Sequence, residues 1–311
     1  MIQTMPKADI PRYHCGKMAV FSDIHSNYHA LHACVSDAIC AGAESFIFLG
    51  DYVSGLAGTI ETLDLVYEIR NKYPTVCIRG NRERYMMDYR DKKVSFARGS
   101  NTGSYLFTYE QLRQQDLAFF DALPFFAAVQ INNTVIELAH ATRDSDRYYY
   151  EKGDDRIAGV YAQMEAPYLL TGHSHKQYAQ SCQGKTIINP GAVGLPQGGT
   201  QRAQYAILDV EKDAVRVTFR QVPYDLAKVI REQFQSGLVS CAKYWAISEL
   251  YGIITGKEYT KMLLSKMYQY AGEDRSVLDD EQVWHRFAAE LGMRFTEDEI
   301  MDFMRKTAVH S

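Results

Sequence analysis

Five short apolar segments, each followed closely by a residue that can bind a metal, constrain this chain more than any other feature. The segments cover residues 18–22, 45–49, 75–79, 134–139 and 168–171. Short runs rich in Val, Ile, Phe and Leu that end in a polar turn are typical of buried strands. The polar residues that follow these runs are Asp23, His25, Asp51, Asn81, His140, His173 and His175. Because ligands gather at the carboxyl ends of strands in an open α/β sheet, these side chains are predicted to meet at one edge.

The number and type of these residues indicate two metal ions. Seven donors are too many for one zinc ion, because a tetrahedral structural site uses four and a catalytic site uses three. Carboxylate, amide and imidazole donors without a thiolate suit Mn, Fe, Mg or Zn rather than Cu(I) or an iron–sulfur cluster. We therefore expect two divalent or trivalent ions, with manganese as the first choice and Fe, Zn, Mg or Ni as alternatives.

The motifs around these residues resemble those of a known family. In order along the chain they are Asp23-Ile-His25, Gly50-Asp51, Gly80-Asn-Arg-Glu83, His140 and Gly172-His-Ser-His175. Together they resemble the signature of the calcineurin-like metallophosphoesterase superfamily, over roughly residues 17 to 222. The segments 23–27 and 189–196 are similar to its small bacterial and archaeal phosphodiesterase branch.

The resemblance implies a fold, a site and a reaction. The fold would be an α/β four-layer αββα sandwich with the site at one edge. One ion would be held by Asp23, His25 and His175, the other by Asn81, His140 and His173, and Asp51 would bridge both. A hydroxide bridging the ions would attack phosphorus in line and hydrolyse a phosphoester or phosphoanhydride of a small molecule or nucleotide. Asp51 and His140 would therefore be catalytic as well as metal-binding.

Arg82 departs from the family pattern, because many relatives carry a histidine there that protonates the leaving oxygen. Arginine stays protonated and cannot act as a general acid. It can instead bind phosphate oxygens and stabilise charge in the transition state, so Arg82 is a candidate catalytic and substrate-binding residue. We expect phosphoanhydrides and aryl esters to be favoured over alkyl monoesters. The alternative is a structural ion pair of Arg82 with Glu83 or Asp88.

Other candidate substrate contacts follow from position along the chain. The loop after Asp51 lacks the arginine that relatives acting on proteins usually carry there, which weakens a protein phosphatase function. Arg143 and Arg202 are candidates to replace it, and a solvated surface charge is the alternative for each. Asn27 is expected either to fix the turn after the first ligands or to lie near the nucleophile. Tyr149 is placed to stack on a base or aryl group.

Composition and charge narrow the class of protein further. The 311 residues are 46% hydrophobic and carry a net charge of −4, so no basic field favours long nucleic acid. The six cysteines form no C-x-x-C pair and are expected to be reduced. No secretory signal or membrane-spanning run is recognisable, which makes the cytoplasm the expected location. We expect a small phosphorylated molecule or nucleotide as partner, no membrane, and leave a homo-oligomer open.

Three regions are predicted along the chain. Residues 1–16 form an N-terminal extension, 17–222 the metallophosphoesterase domain and 223–311 a helical extension. Within the domain, strands alternate with helices such as Glu61 to Lys72, and the strands after His175 are predicted to form the second sheet. Five helices are predicted in the extension, starting near Asp225, Cys241, Tyr259, Asp280 and Glu297. Its aromatic residues are expected to pack the helices together, with a lid or dimer face as the alternative.

Two classes of function remain open. The first is the dinuclear phosphoesterase, which includes phosphatase, phosphodiesterase and dinucleoside polyphosphate hydrolase activities. The second is a non-catalytic interaction scaffold that keeps the fold and loses the metals. Retention of all seven ligands favours the enzyme, and the missing histidine at position 82 is the feature that favours the scaffold.

Overall fold

The strands of the computed structural model form two mixed sheets. The structure describes residues 10–308, except 14–15, 100, 149–152, 154 and 212–213. The strands are β1 (Arg12–Tyr13), β2 (Lys17–Phe21), β3 (Ser45–Phe48), β4 (Thr75–Cys77), β5 (Phe126–Ile131), β6 (Thr134–Ala139), β7 (Tyr168–Leu170), β8 (Gln177–Cys182), β9 (Lys185–Pro190), β10 (Ala203–Glu211) and β11 (Ala214–Val222). One sheet has the order β11-β10-β2-β3-β4 and the other the order β1-β5-β6-β7-β9-β8.

The helices fall into two groups, one around the sheets and one after them. The helices of the first group are α1 (Tyr28–Cys40), α2 (Thr59–Lys72), α3 (Asn81–Arg90), α4 (Gly103–Tyr109), α5 (Gln114–Ala122) and α6 (Ile157–Gln163). Those of the second are α7 (Leu226–Gln235), α8 (Leu238–Ala242), α9 (Tyr244–Thr255), α10 (Tyr259–Ala271), α11 (Glu281–Glu290) and α12 (Glu297–Ala308). A 3-10 helix, Arg275–Asp279, precedes α11.

The alternation of side chains along β2 explains the layers. Met18 and Val20 face the core between the sheets, where they join residues of β5, β6, β7 and β9. Ala19 and Phe21 point to the opposite face, into a cluster with residues of α1 and α2. On the far side of the second sheet, α6 packs against Leu169 and Ile187. This confirms the predicted αββα sandwich.

The prediction for the later strands was wrong in one respect. Strands β10 and β11 do not join β9 in a second sheet, because β10 pairs antiparallel with β2 and so extends the first sheet. Strand β9 pairs instead with β7 and β8. Alternating hydrophobicity shows that a segment is a strand but carries no information on which strand it pairs with, and this explains the error.

The predicted helical extension is present as α7 to α12. Asp225 caps α7, with its side chain accepting from the Lys228 N–H at 2.9 Å. The predicted capping box at Thr296 and Glu299 is also formed, because Glu299 N–H donates to Thr296 Oγ1 at 3.4 Å and Thr296 N–H donates to Glu299 Oε2 at 3.3 Å. The helix predicted from Cys241 is instead two helices, α8 and α9, that meet at Lys243, where φ is +46°.

The extension and the sandwich share a buried apolar cluster. Leu56 and Leu195, from loops of the sandwich, belong to the same buried cluster as Leu250, Ile254 and Ile300 of the extension. None of the helices among the described residues combines the length and the apolar character that a membrane crossing requires.

Candidate metal centre

The topology brings all seven predicted ligands to one edge of the sandwich. Asp23 and Asp51 follow the parallel strands β2 and β3, and Asn81 opens α3 after β4. His140 directly follows β6, and His173 and His175 follow the parallel neighbour β7. The carboxyl ends of the parallel strands in both sheets therefore point to the same place.

The donors form two adjacent clusters. In the first, His25 Nε2 lies 3.2 Å from His175 Nε2 and 3.8 Å from Asp23 Oδ1, and His175 Nε2 lies 3.2 Å from the same oxygen. In the second, His140 Nε2 lies 3.1 Å from Asn81 Oδ1 and 3.2 Å from His173 Nδ1. Each cluster contains one carboxylate and two imidazoles close enough together to bind one ion. The carboxylate is Asp23 in the first cluster and Asp51 in the second.

Asp51 stands between the two clusters. Its Oδ2 lies 3.7 Å from His25 Nε2 in the first cluster and 3.5 Å from His140 Nε2 in the second. Its other oxygen, Oδ1, accepts a hydrogen bond from the Arg82 backbone N–H at 2.8 Å. The position of Asp51 is the one that a bridging carboxylate requires.

The shorter of these spacings, from 3.1 to 3.5 Å, fit metal ions. Donors bound at the usual Zn–N and Zn–O lengths are separated by about 2.8 to 3.6 Å around an octahedral or tetrahedral ion. Asp23 Oδ2 is held by Ser22 Oγ at 2.6 Å and by the His173 N–H at 2.9 Å. Asp23 Oδ1, by contrast, is buried and receives no hydrogen bond of acceptable geometry from any described residue. An ion in the first cluster would give this oxygen the partner it lacks.

Backbone carbonyls fix the orientation of all four histidines. In three of them Nδ1 faces the carbonyl: His25 faces Ser54 O at 3.2 Å, His140 faces Leu49 O at 2.9 Å and His175 faces Leu195 O at 2.8 Å. In His173 it is Nε2 that faces a carbonyl, Arg147 O, at 3.2 Å. A carbonyl can only accept, so each of these nitrogens must carry the proton. The other nitrogen of each ring then points towards its cluster. Two lone pairs 3.2 Å apart would repel, so a proton or a metal cation must lie between the two nitrogens of each pair.

The charges around the site keep three of the ligands in the form that binds metal, whereas His140 must lose a proton to bind one. Burial, with His175 and Arg82 nearby, lowers the pKa of His25 to about 3, and burial with His140 lowers the pKa of His173 to about 4. Burial also acts to lower the pKa of His140, but the Asp51 carboxylate outweighs it and raises this pKa to about 10. Despite burial, neighbouring histidines hold the pKa of Asp51 well below its usual range, so the bridging group is an anion.

The backbone at the site is strained. Five of the ligands have positive φ angles between 51° and 62°, a region that residues other than glycine rarely adopt. They are Asp23, His25, Asp51, His173 and His175. Such angles cost of order 1–3 kcal/mol each and persist where the surrounding structure imposes them, most often at functional sites. Ordinary core packing would not require this set of angles.

Glu83 supports the loop that carries Asp51. Its Oε2 accepts from the N–H groups of Asp51 (2.9 Å) and Gly80 (2.8 Å), and Oε1 accepts from Tyr52 N–H (2.8 Å). Gly80 itself must lack a side chain, because a Cβ there would lie 2.2 Å from Asp51 Oδ1. Glu83 therefore orients a ligand.

Arg82 faces the site and forms neither of the predicted structural ion pairs. Its Nε lies 3.6 Å from Asp51 Oδ2, its Nη1 donates to Tyr105, and its guanidinium stacks 5.0 Å from the centre of that ring. Asp88 pairs with Arg84 instead. Arg82 Nε is buried and donates no hydrogen bond to the described residues, so it is free to bind a substrate oxygen.

The structure does not bring the other predicted substrate contacts to the clusters. Asn27 caps α1 through Ala30 N–H and donates to Gly194 O at 3.0 Å, the turn-fixing alternative. Arg143 binds Glu165 at 2.9 Å and Gln163 O at 3.0 Å, which occupies its donors away from the site. Arg202 is exposed on its loop. Tyr149 lies outside the described residues.

A cavity of about 260 Å³ opens beside the clusters and includes residues that the sequence analysis missed. Arg82, His175 and Gln197 line it from the sandwich, and Trp245 and Glu249 line it from α9. The sequence offered one signal for Glu249, a single acidic residue within an otherwise apolar helix. The contribution of the extension to the cavity depends on packing between distant segments, which no local pattern encodes.

The fold and the site define an α/β sandwich with paired clusters of metal-binding groups. Residues 17–213 match the family model of the calcineurin-like phosphoesterase superfamily domain, and the chain belongs to this superfamily. The chain is also similar to an uncharacterised protein of Methanocaldococcus jannaschii, with 28% identity over 231 residues that cover 68% of this chain and 89% of that protein.

Two solved structures share the fold. A metallophosphoesterase from Sphaerobacter thermophilus aligns with a TM-score of 0.62 and 23% identity, covering 78% of this chain and 100% of that one. A hypothetical protein from Pyrococcus horikoshii aligns with a TM-score of 0.67 and 16% identity, covering 78% of this chain and 99% of that one. Both alignments extend the likeness beyond the part of the chain that the family model matches.

Proposed function

We propose that this protein is a dinuclear metallophosphoesterase that hydrolyses phosphoester or phosphoanhydride bonds of a small phosphorylated molecule or nucleotide. The observation that carries the proposal is the orientation of the four histidines, whose second nitrogens are each held by a backbone carbonyl. Together with Asp23, Asn81 and the intervening Asp51, they form two ligand sets. Manganese is the first choice for both ions, and Fe, Zn, Mg or Ni are alternatives.

The chain's own groups support hydrolysis at phosphorus. Two bound ions at such a site lower the pKa of water and bind phosphoryl oxygens. Arg82 Nε, buried and without a hydrogen-bond partner among the described residues, would donate to a phosphoryl oxygen and stabilise the charge that grows on it. Tyr105 holds the guanidinium in place for this contact. Asp51, which lies between the clusters, would hold the two ions next to each other.

The cavity supports a small substrate. Its volume of about 260 Å³ lies below the roughly 300–1,000 Å³ of pockets for drug-sized ligands. Helices α9 and α10 form one of its walls, which leaves little room for a folded protein substrate. This geometry favours a small-molecule phosphatase or phosphodiesterase over a protein phosphatase. Free thiols at Cys34, Cys40, Cys77, Cys182 and Cys241 support a reducing location such as the cytoplasm.

The test compares the enzyme with the non-catalytic scaffold. The purified protein, stripped with a chelator, is expected to hydrolyse aryl phosphate or aryl diester only after Mn is restored. Asp51→Asn should abolish this activity, because an amide offers one weak oxygen to two cations. Metal content measured by mass spectrometry should be about two ions per wild-type chain and lower in the variant. A wild-type chain that binds no metal and cleaves none of the substrates would establish the scaffold instead.

A further inference from the structure

The leaving group of the proposed reaction needs a proton that Arg82 cannot supply. When the bond between phosphorus and an alkoxide oxygen breaks, that oxygen leaves as a strong base unless an acid protonates it. Arg82 lies beside the clusters but keeps its proton at all working pH values. Each histidine directs one ring nitrogen to a backbone carbonyl and the other to a metal site. An acid must therefore come from another wall of the cavity.

Glu249 is the carboxyl group on that wall. It lies on α9 and is 6% exposed, within a helix whose neighbouring residues Ser248 and Leu250 are fully buried. It lines the cavity together with Arg82 and His175, so it shares this cavity with one of the metal-ligand histidines. A buried glutamate that forms no ion pair with a described residue is costly to bury, which indicates a functional role.

The surroundings of Glu249 favour its protonated form. Burial raises the pKa of this carboxyl, while Arg82, His175, Thr260 and Trp245 act in the opposite direction without overcoming burial. More of the carboxyl is therefore neutral near pH 7 than in an exposed glutamate. The titratable or charged residues that line the same cavity are Arg82, Tyr105, His175, Lys257, Glu258, Tyr259 and Lys261.

The other acids of the cavity are less suited to the role. Tyr105 accepts a hydrogen bond from Arg82, and burial raises the pKa of its phenol, so it is a weak donor. Glu258 pairs with Lys261 at 3.3 Å, which favours the carboxylate form. Glu249 combines burial, a carboxyl group and a position facing Arg82.

We propose that Glu249, supplied by the helical extension, is the general acid that protonates the leaving-group oxygen; this rests on the proposed hydrolase function. As water attacks phosphorus, the P–O bond to the leaving group breaks and its electron pair stays on that oxygen. The oxygen takes the proton of Glu249 and departs as an alcohol. Arg82 faces the resulting carboxylate, and solvent returns the proton. The extension would thus replace the missing acid at position 82 and allow alkyl esters as substrates.

The test uses two substrates that differ in their need for a proton. In Glu249→Gln with Mn, kcat/KM for an alkyl phosphate should fall about 10²–10⁴-fold, the usual contribution of a general acid. In the same variant, kcat/KM for an aryl phosphate with an acidic leaving group should change several-fold at most. Glu249→Asp keeps a carboxyl and should show a smaller loss on the alkyl substrate alone. Glu290→Gln on α11, an exposed glutamate paired with Lys266, is the matched control and should match the wild type on both.

A spectroscopic readout tests the acid without turnover. Infrared difference spectra of the wild type minus Glu249→Gln, recorded across a pH titration, should contain a carboxylic acid band that persists to higher pH than that of an exposed glutamate. That band should be shifted in the corresponding difference with Glu249→Asp. Equal losses on alkyl and aryl phosphates, wild-type turnover of the alkyl ester in Glu249→Gln, or no neutral carboxyl band would each overturn the role of Glu249. Absence of hydrolysis by the wild type would instead remove the proposed function itself.

Discussion

The cluster edge of the sandwich and the helical extension are stabilised by different interactions. At the edge, buried polar groups are held by hydrogen bonds to backbone atoms, and five ligands keep strained φ angles. In the extension, apolar side chains such as Leu250, Ile254 and Ile300 form one buried cluster. The structure of the edge thus depends on individual hydrogen bonds. The stability of the extension depends on the sum of many apolar contacts, any one of which can be replaced by a similar one.

The two regions meet at Leu195. Its side chain belongs to the buried cluster of the extension, while its carbonyl oxygen lies 2.8 Å from Nδ1 of the ligand His175. Leu56 makes a second link, since it packs in the same cluster and its N–H donates to His25 O at 3.1 Å. The extension therefore packs on the residues that support the ligands, which explains how a region outside the matched family domain comes to line the cavity.

The largest expected effect separates the stability of the extension from metal binding. Ile300 of α12 is fully buried in the extension cluster, so Ile300→Ala should lower the free energy of unfolding by about 2–5 kcal/mol. Manganese affinity, measured by calorimetry well below the melting temperature, should stay within about twofold of the wild type. Met262→Ala, at a side chain that is 42% exposed, is the control and should change stability little. Loss of manganese affinity in Ile300→Ala would show that the two regions are one energetic unit.

A substitution at Glu83 is expected to weaken manganese binding, which the Ile300 substitution should leave unchanged. Glu83→Gln keeps the shape but places an amide NH₂ against backbone N–H donors of the loop of Asp51. Because groups that orient metal ligands through hydrogen bonds contribute about 10–100-fold to metal affinity, manganese binding should weaken by that factor. The exposed Glu68→Gln, which only removes a surface pair with Lys72, is the matched control. Unchanged manganese affinity in Glu83→Gln would mean that the ligands do not need this support.

The site could be predicted from the sequence because each ligand follows a strand within one or a few residues. Asp23, Asp51 and His140 are fixed by the chain segment next to them, so short motifs carry their positions. The αββα layers were predicted from the family resemblance that these motifs carry, since strands such as β2 and β3 are buried on both faces and show no alternation of burial. The partner of β10 could not be predicted, because pairing with β2 joins residues far apart in the chain.

The side-chain contacts that the sequence left open have a common physical cause. Asn27 takes the turn-fixing alternative by donating to Gly194 O, and Arg143 turns away from the site to Glu165, because both partners come from later segments. Glu249 was missed for the converse reason, since it is distant in sequence and reaches the cavity only through packing of α9 on the sandwich. Proximity along the chain thus predicted ligands on strand ends and failed for side chains on loops and on the extension.

The smallest expected effect lies within the sandwich, away from both regions. Asp37 of α1 binds Arg220 of β11 through two hydrogen bonds of 2.7 and 3.0 Å and accepts another from Tyr205. Hydrogen bonds from Arg220 and Tyr205 lower the pKa of Asp37 from its ordinary value of 3.8, although burial acts against them. The stabilisation is therefore complete above pH 3.8 and is lost as the pH falls through the lower folded-state value.

Asp37→Asn should lower the free energy of unfolding by about 0.5–1 kcal/mol at pH 7, because Arg220 is partly exposed and solvent screens the pair. The difference from the wild type should shrink as the pH falls below 3.8 and should be smallest below the lowered folded-state pKa of Asp37, where both side chains are neutral. Urea unfolding at several pH values measures it, and a double-mutant cycle with Arg220→Gln isolates the pair. Manganese affinity should not change, since the pair contacts neither the clusters nor the extension. A difference that is constant with pH would assign the effect to packing rather than to charge.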